Sequence, residues 1–358
     1  MQRAINRQGA AVASPRQPVA TLSRALRFGP WLLGLLILSG VIIFIAYFRE
    51  IEGFTQLLYQ AAPAWLIAGA VLQIATYFST AAVWFLTLRK AGARYSMRAL
   101  VPLGVAKLFS EQALPSGGVS GTAFFVAVLS RRGVPTELCM AALLISLVSY
   151  YTAYLLAAVL SLALLWFHHS ANAWVVALTI LFCMVAVIIP AGTLWLHRWS
   201  QRALPPWLMQ VPGLNRLLDA IGDAPGYLLR DVSLFSKTTF FQASIFLLDA
   251  ATLWAMLRAV GRHVSFLAAF PSFVIASMVS TLGLIPLGLG TFEATCVAML
   301  GALGVPLEAA LTATLLLRGF TLWLPMLPGL WIARRELAGN KPAGEEHREK
   351  AENIGSEQ

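Results

Sequence analysis

Long, nearly unbroken apolar blocks decide the solvent in which this chain folds, and with it the structures open to the chain. The blocks cover residues 31–48, 63–88, 138–167, 172–196, 238–257, 264–285 and 307–333. A helix needs ~20 mostly apolar residues to cross the hydrocarbon core of a bilayer. In that medium every backbone N–H and C=O must find its partner inside the protein, which leaves helices or closed barrels. The apolar residues here are contiguous, with no period-2 alternation, so the blocks read as helices. Only 12% of residues are charged, about half the share found in a soluble domain. No stretch between blocks is long enough to bury a core of its own.

Charge placement organises the blocks. The net charge is +10, and Lys and Arg sit in short connections beside apolar segments, as the positive-inside rule describes. No basic stripe is interleaved with aromatics, which argues against nucleic acid as a partner. Residues 1–28 hold Arg3, Arg7, Arg16, Arg24 and Arg27 without an acid. They read as a cytoplasmic arm. The apolar run that follows is too long for a secretory signal and ends in Arg49 and Glu50 where small residues would be needed. Arg89, Lys90, Arg94 and Arg98 mark the inner side, and so do Arg131 and Arg132. Residues 99–130 must then enter and leave by one face. The two arms, 99–114 and 116–130, are each short of a full span, so a re-entrant hairpin of half-helices is favoured over a pair of thin spans. Residues 264–303 enter and leave from the other side. Arg258 and Arg262 fall outside, against the rule. Leu214, Leu217, Leu218 and Ile221 predict an amphipathic surface helix.

The expected fold is an all-α polytopic membrane protein with about six full spans plus two Gly/Pro-broken re-entrant hairpins. Its parts are the arm (1–28), a transmembrane domain (29–335) and a polar, disordered cytoplasmic tail (336–358).

One feature goes beyond hydropathy. The run LPSGGVSGTAFFVAVLSRRGVPTE from Leu114 matches IPLGLGTFEATCVAMLGALGVPLE from Ile285 without a gap. Pro115 falls on Pro286, Gly117 on Gly288, Gly133-Val134-Pro135 on Gly304-Val305-Pro306, and Glu137 on Glu308. Apolar bias alone would match Val, Ala and Leu, but not Pro, Gly and Glu at fixed spacing. By charge, the first copy enters from inside and the second from outside. Inverted repeats with helices broken near the midplane are the architecture of secondary transporters. Backbone broken at that depth lines a polar cavity or is buried in protein, and half-helix N-termini there favour a phosphate or carboxylate. A tight packing kink is the alternative reading.

Ionisable residues inside apolar segments each cost ~2.5–3.5 kcal/mol on the insertion scale, so their presence asks for a reason. Lys107, Glu111, Asp249, Glu293 and Arg318 are of this kind. Lys107 and Glu111 are four apart and can neutralise each other on a helix. Arg318 can pair with Glu293 or with Asp249, either as a structural ion pair or as part of an ion relay or headgroup contact. Cys139, Cys183 and Cys296 lie in apolar segments without a disulfide spacing. His168 and His169 adjoin at a helix end and read as solvated loop residues with no metal site. No cofactor is expected.

The motifs EQALPSGGVSG…RRGVP and IPLGLGTFEA…GVP…LLLRG resemble the lysylphosphatidylglycerol synthase transmembrane region, or flippase-like domain, over roughly residues 30–335. The resemblance places Glu111, Pro115, Gly117, Gly118 and Gly121 on the first motif, and Pro286, Gly288, Gly290, Glu293 and Arg318 on the second. Fused members join this region to a soluble aminoacyl-transferase domain, and the membrane part is implicated in moving modified lipids between leaflets. The chain ends 23 residues after Arg335, so the transferase activity is not expected here. Some stand-alone members are linked to hopanoid, glycolipid or polyprenyl-lipid pathways.

The expected function is translocation or handling of an anionic or modified lipid, with Asp249 added to the residues above. A coupling ion, a homo-oligomer and a lipid-synthesis partner are further candidates. The expected location is a bacterial inner membrane with both termini cytoplasmic. No Walker A motif is present, since GVSGT lacks the Lys. A membrane enzyme on lipid-linked sugars or isoprenoids, or an accessory subunit for lipid synthesis, are the competing readings.

Overall fold

The computed structural model describes residues 61–93, 95–113, 119–167, 172–200, 225–282 and 288–338. The basic arm, the block 31–48, His168 and His169, the stretch 214–221 and the tail beyond 338 lie outside the described residues. Among the described residues there is no strand. Besides a single turn at Gly226–Leu229, the helices are α1 (Pro63–Lys90), α2 (Met97–Ala113), α3 (Val119–Arg131), α4 (Thr136–Phe167), α5 (Ala173–Ser200), α6 (Val232–Ala259), α7 (Phe266–Leu282), α8 (Thr291–Ala302), α9 (Leu307–Arg318) and α10 (Leu324–Ala338). A π-helical turn, Gly319–Trp323, joins α9 to α10. The apolar block 307–333, expected as one plain helix, is thus helix, π-turn and helix. It runs to Ala338, past the domain limit placed at 335. Five units are long and apolar enough to cross a membrane: α1, α4, α5, α6 and the run from α9 into α10.

The distribution of side chains is that of a protein in lipid. On α1 the exposed residues are Ile67, Val71, Ile74 and Phe78, one helical face at i, i+4, i+7 and i+11. The buried face carries Gln73, Thr76, Ser79, Thr80 and Thr87. A helix in water would have these faces reversed. On α5, exposed Trp174 and Trp195 bracket the apolar length. Their sequence separation is about 31 Å of helix rise, close to one hydrocarbon thickness, and Trp favours the two interfaces.

Contacts fix the direction of each pass. The N–H of Ala62 donates to the carbonyl of Ala259 at 2.9 Å. Along the same pair of helices, a Cβ on Gly69 would lie 2.5 Å from Met256 Cε. Gln73 meets Asp249 and Thr252, and Lys90 Nζ pairs with Asp231 at 2.8 Å. These contacts run down one helix and up the other, so α1 and α6 are antiparallel throughout. The end with Lys90 and Asp231 defines a first face, and the end with Ala62 and Ala259 a second. Tyr95, before α2, donates through its hydroxyl to the carbonyl of Arg132, after α3, at 3.3 Å. The α2–α3 hairpin therefore begins and ends on the first face. Arg132 Nη2 also pairs with Glu336 Oε1 at 2.7 Å, which brings the end of α10 to that face. The α7–α8 hairpin follows α6 and opens on the second face.

This order amounts to two copies of one unit. In the first copy α1, α2, α3 and α4 have 28, 17, 13 and 32 residues. In the second, α6, α7 and α8 have 28, 17 and 12, followed by the continuous run 307–338. Because α1 and α6 are equivalent and antiparallel, the copies are inverted with respect to one another. They also exchange partners. The second helix of each copy packs on the last helix of the other, α2 on α10 and α7 on α4. A Cβ on Gly329 of α10 would lie 2.6 Å from Phe109 Cβ and 3.0 Å from the Val105 carbonyl of α2. Without a hydrophobic force between helices in lipid, this closeness is where van der Waals packing is gained.

The self-match extends further than the Gly-Pro runs. With Pro63 set on Val232, Gln73 falls on Gln242, Ala81 on Ala250, Ala82 on Ala251, Leu88 on Leu257, Arg89 on Arg258 and Gly92 on Gly261. The equivalences are physical. Gly92 and Gly261 have φ of 83° and 76°, and Ala93 and Arg262 donate to Leu88 and Leu257 carbonyls at 2.9 Å each. This is the Schellman ending of a helix, which requires a left-handed residue and is cheapest with glycine. Arg89 lies over the Phe85 ring and Arg258 over the matching Trp254 ring. Arg258 is therefore the inverted counterpart of Arg89, at the opposite face. The two Gly-Val-Pro sequences form a second pair of such endings. Gly133 and Gly304 have φ of 80° and 85°, and Val134 and Val305 donate to Leu129 and Leu300 carbonyls at 3.1 and 3.0 Å.

Candidate functional site

The second break is described from Gly288 onward, and Pro286 lies outside the described residues. Gly288 has φ of 58° and Gly290 of 83°, a region that side chains other than glycine occupy at a cost. Gly288 is also pressed against α7, where a Cβ would run into Ser280 Oγ. Thr291 Oγ1 donates to the Gly288 carbonyl at 3.0 Å. Gly290 is the N-cap of α8, and Glu293 stands in its first turn. Glu293 Oε2 accepts from the Gly290 N–H at 2.7 Å. Because Gly290 has no side chain, only the glutamate half of a reciprocal capping box exists.

The other carboxylate oxygen of Glu293 accepts from Arg318 Nε at 2.6 Å. The structure thus chooses Glu293 over Asp249 as partner for Arg318. Both members are 6% exposed. Arg318 Cζ sits 4.7 Å from the centroid of the Phe292 ring, so the cation meets a carboxylate and a π face together. Arg318 is the last residue of α9, immediately before the π-turn that begins at Gly319. Such turns interrupt the regular ladder and recur at functional sites. A buried pair of this kind stabilises little compared with apolar residues of the same shape, whereas losing one partner leaves an unpaired buried charge.

Asp249 forms a separate centre in the middle of α6. Gln73 Nε2 of α1 donates to Asp249 Oδ1 at 2.9 Å and to Thr252 Oγ1 at 3.1 Å. Thr76 Oγ1 lies 3.5 Å from the same carboxylate oxygen while donating to the Leu72 carbonyl at 3.2 Å. Gln242, two turns earlier on α6, faces Ser146 of α4 at 3.5 Å and takes no part in this contact. Reading the sequence for acids did not find Gln73, Thr76, Ser280 or Phe292. The match of Gln73 to Gln242 was available as a signal, but its identities are spread over about five turns.

At the first break, Pro115, Gly117 and Gly118 lie outside the described residues. Glu111 is on α2 with its side chain likewise outside, and Gly121 is buried on α3. The copies differ in their chemistry. Aligned on the two prolines, Glu293 and Arg318 fall on Thr122 and Leu147, and aligned on the first helices, Asp249 falls on Thr80. The described intramembrane ion pair and the mid-span carboxylate both belong to the second copy. Cys139, Cys183 and Cys296 are free thiols.

An apolar exterior, a polar seam between antiparallel helices, and two inverted copies with opposed hairpins define a polytopic integral membrane protein of the inverted-repeat class. Within that class, the chain belongs to the lysylphosphatidylglycerol synthase TM region family, whose model matches residues 31–329. The matched span takes in both copies and the Glu293–Arg318 pair, and it ties the chain to a membrane-lipid role. No curated protein matches the chain.

Proposed function

We propose that this protein moves an anionic or modified lipid between the leaflets of a bacterial cytoplasmic membrane, with both termini on the cytoplasmic side. The observation that carries the reading is the buried Glu293–Arg318 pair, set at the glycine break of one of two opposed hairpins. A guanidinium is a planar fork that suits a phosphate or carboxylate as well as it suits Glu293. An anionic headgroup can take the place of Glu293 at Arg318, while the glutamate keeps the Gly290 N–H. The positive end of α8 adds to the attraction. Two hairpins that open on opposite faces suit passage between leaflets.

The test is leaflet exchange in proteoliposomes carrying fluorescent lipids that differ in headgroup, read with a membrane-impermeant quencher. Wild-type protein exchanges some headgroups and not others. Glu293→Gln and Arg318→Ala, folded by size-exclusion and thermal criteria, slow exchange by about tenfold or more, equivalent to ~1.4 kcal/mol of barrier. If wild type exchanges no lipid with or without an ion gradient, the reading fails and the enzyme and accessory readings take its place.

A further inference from the structure

Asp249 is a mid-span carboxylate whose described neighbours are neutral. Its hydrogen-bond partners are Gln73 and Thr76 of α1. The elements packed against α6 are α1, α4, α7 and α9; Arg89 and Lys90 end α1, and α4 starts with Glu137 and also carries Cys139 and Tyr151. On α1, Tyr77 faces Asp249, and its hydroxyl is buried without a hydrogen-bond partner. On α4, Tyr150 and Tyr154 lean on Phe246, one turn from Asp249, with ring centroids 5.8 and 4.5 Å away. The α7 sequence contains no ionisable residue. On α9, Glu308 stands in the first turn and Arg318 at the last residue, where Arg318 is held by Glu293. A carboxylate in a poorly polarisable medium, with no cation beside it, is relieved by taking up a proton.

The surroundings suit both charge states. With Asp249 ionised, the Gln73 NH₂ donates to it, as the geometry has it. Once a proton is bound, Asp249 becomes a donor and needs an acceptor. A half-turn of the Gln73 amide brings its carbonyl into the same position, and the two orientations have nearly the same shape. The site also lies where the repeats touch, since α1 and α6 are the antiparallel first helices of the two copies. The glutamine is present in both copies, as Gln73 and Gln242, while the acid is present in one, with Thr80 at the matching place.

We propose that Asp249 and Gln73 form a proton-binding site on the interface between the inverted copies, and that proton loading there is coupled to lipid exchange. The proton comes from water on one face, binds a carboxylate oxygen and neutralises it, and leaves as a proton. The coupling rests on the function proposed above, but the site itself does not.

The first measurement is infrared difference spectroscopy of the purified full chain in nanodiscs, from about pH 4 to about pH 9. The carboxylic-acid C=O band of wild type is compared with that of Asp249→Asn, which imitates the protonated state and keeps the shape. A C=O component that titrates in wild type and is missing from the variant is the expected result. A wild-type spectrum whose titrating band is unchanged by Asp249→Asn overturns the site, as does an Asp249 band that does not change with pH. Should Asp249→Asn not fold, Gln73→Leu serves in its place. Removing the amide alters the frequency of the titrating band if that band belongs to Asp249, and leaves it untouched otherwise. The second measurement is lipid exchange with and without a pH gradient. Wild type responds by about threefold or more, ~0.65 kcal/mol, and Asp249→Asn exchanges at a rate independent of the gradient. Wild-type exchange that ignores the gradient overturns the coupling and leaves the site to the spectrum. Failure to exchange any lipid removes the proposed function and the coupling together, and the spectrum still decides the site.

Discussion

Individual residues here act through what they leave unpaired when changed. Removing one member of the Glu293–Arg318 pair strands a buried charge, which costs about 3–5 kcal/mol in comparable sites. Arg318→Met should therefore unfold the protein well below the wild-type temperature. The double change Glu293→Met with Arg318→Met should recover most of that loss, because neither charge remains. Thermal unfolding in a fixed detergent checks the order, and equal melting of the single and double variants would contradict it. Exchange should stay lost in both, which separates stability from transport. The two glycines of the break differ in the same manner. Gly290→Ala meets open space and should cost only the strained positive-φ conformation, roughly 1–3 kcal/mol. Gly288→Ala meets Ser280 as well and should cost about 1–3 kcal/mol more through overpacking. Combining Gly288→Ala with Ser280→Gly should return the difference, measured in the same melting experiment.

Elements here are ended and joined by duplicated local chemistry, and this part was the most legible from sequence. The Gly-Val-Pro repeats were legible as a self-match, and the structure makes each a helix ending, where a Schellman turn takes a left-handed glycine followed by a buried apolar residue; Val134 and Val305 are both 6% exposed. Apolar block lengths placed the ends of the long helices to within about six residues, since lipid imposes the length directly. The π-turn after Arg318 was not legible, because Gly-Phe-Thr-Leu-Trp carries no signal that separates it from ordinary helix. The pairing of Arg318 was equally hidden. Two acids were available, and the choice depends on how α8 meets α9 in space. The start of α6 gives a prediction at this scale. Asp231 caps it by accepting from the Leu234 N–H at 2.9 Å, and it also holds Lys90. The Lys90 ammonium, then the backbone N–H groups, keep the Asp231 carboxyl below its ordinary range. A carboxylate whose affinity for protons is lowered by folding contributes stability above its unfolded titration range and loses it as the pH falls through the folded one. Wild type should thus lose this contribution only below about pH 4. Asp231→Asn should melt lower than wild type at neutral pH, with the gap closing on acidification. A gap that widens toward acid would contradict the assignment.

At the scale of the whole molecule, the described helices other than α5 form two inverted copies joined along one antiparallel helix pair, and this predicts sidedness without reference to charge rules. Arg131, after the first hairpin, is on the first face, and Arg262, after α6, is on the second. Arg131→Cys and Arg262→Cys, each on a background lacking the three native cysteines, should be labelled by an impermeant thiol reagent from opposite sides of sealed vesicles. Labelling of both from the same side would contradict the arrangement. The sequence carried the inversion at the hairpins, where Pro and Gly recur at fixed spacing. It carried it only weakly at α1 and α6, because helices that face lipid on one side and each other on the other can change most positions freely. The inversion also explains a helix that neither copy contains. Each copy has two long passes, α1 and α4 or α6 and the run ending in α10, and a hairpin that begins and ends on one face. An even number of crossings returns the chain to the side it started from, so a second copy joined directly to the first would repeat its orientation. The single pass of α5 changes the parity. It is the least enclosed of the long helices, with Phe182 and Ala186 reaching the core. The direction of everything after it depends on there being one such pass, and on its not being two or none.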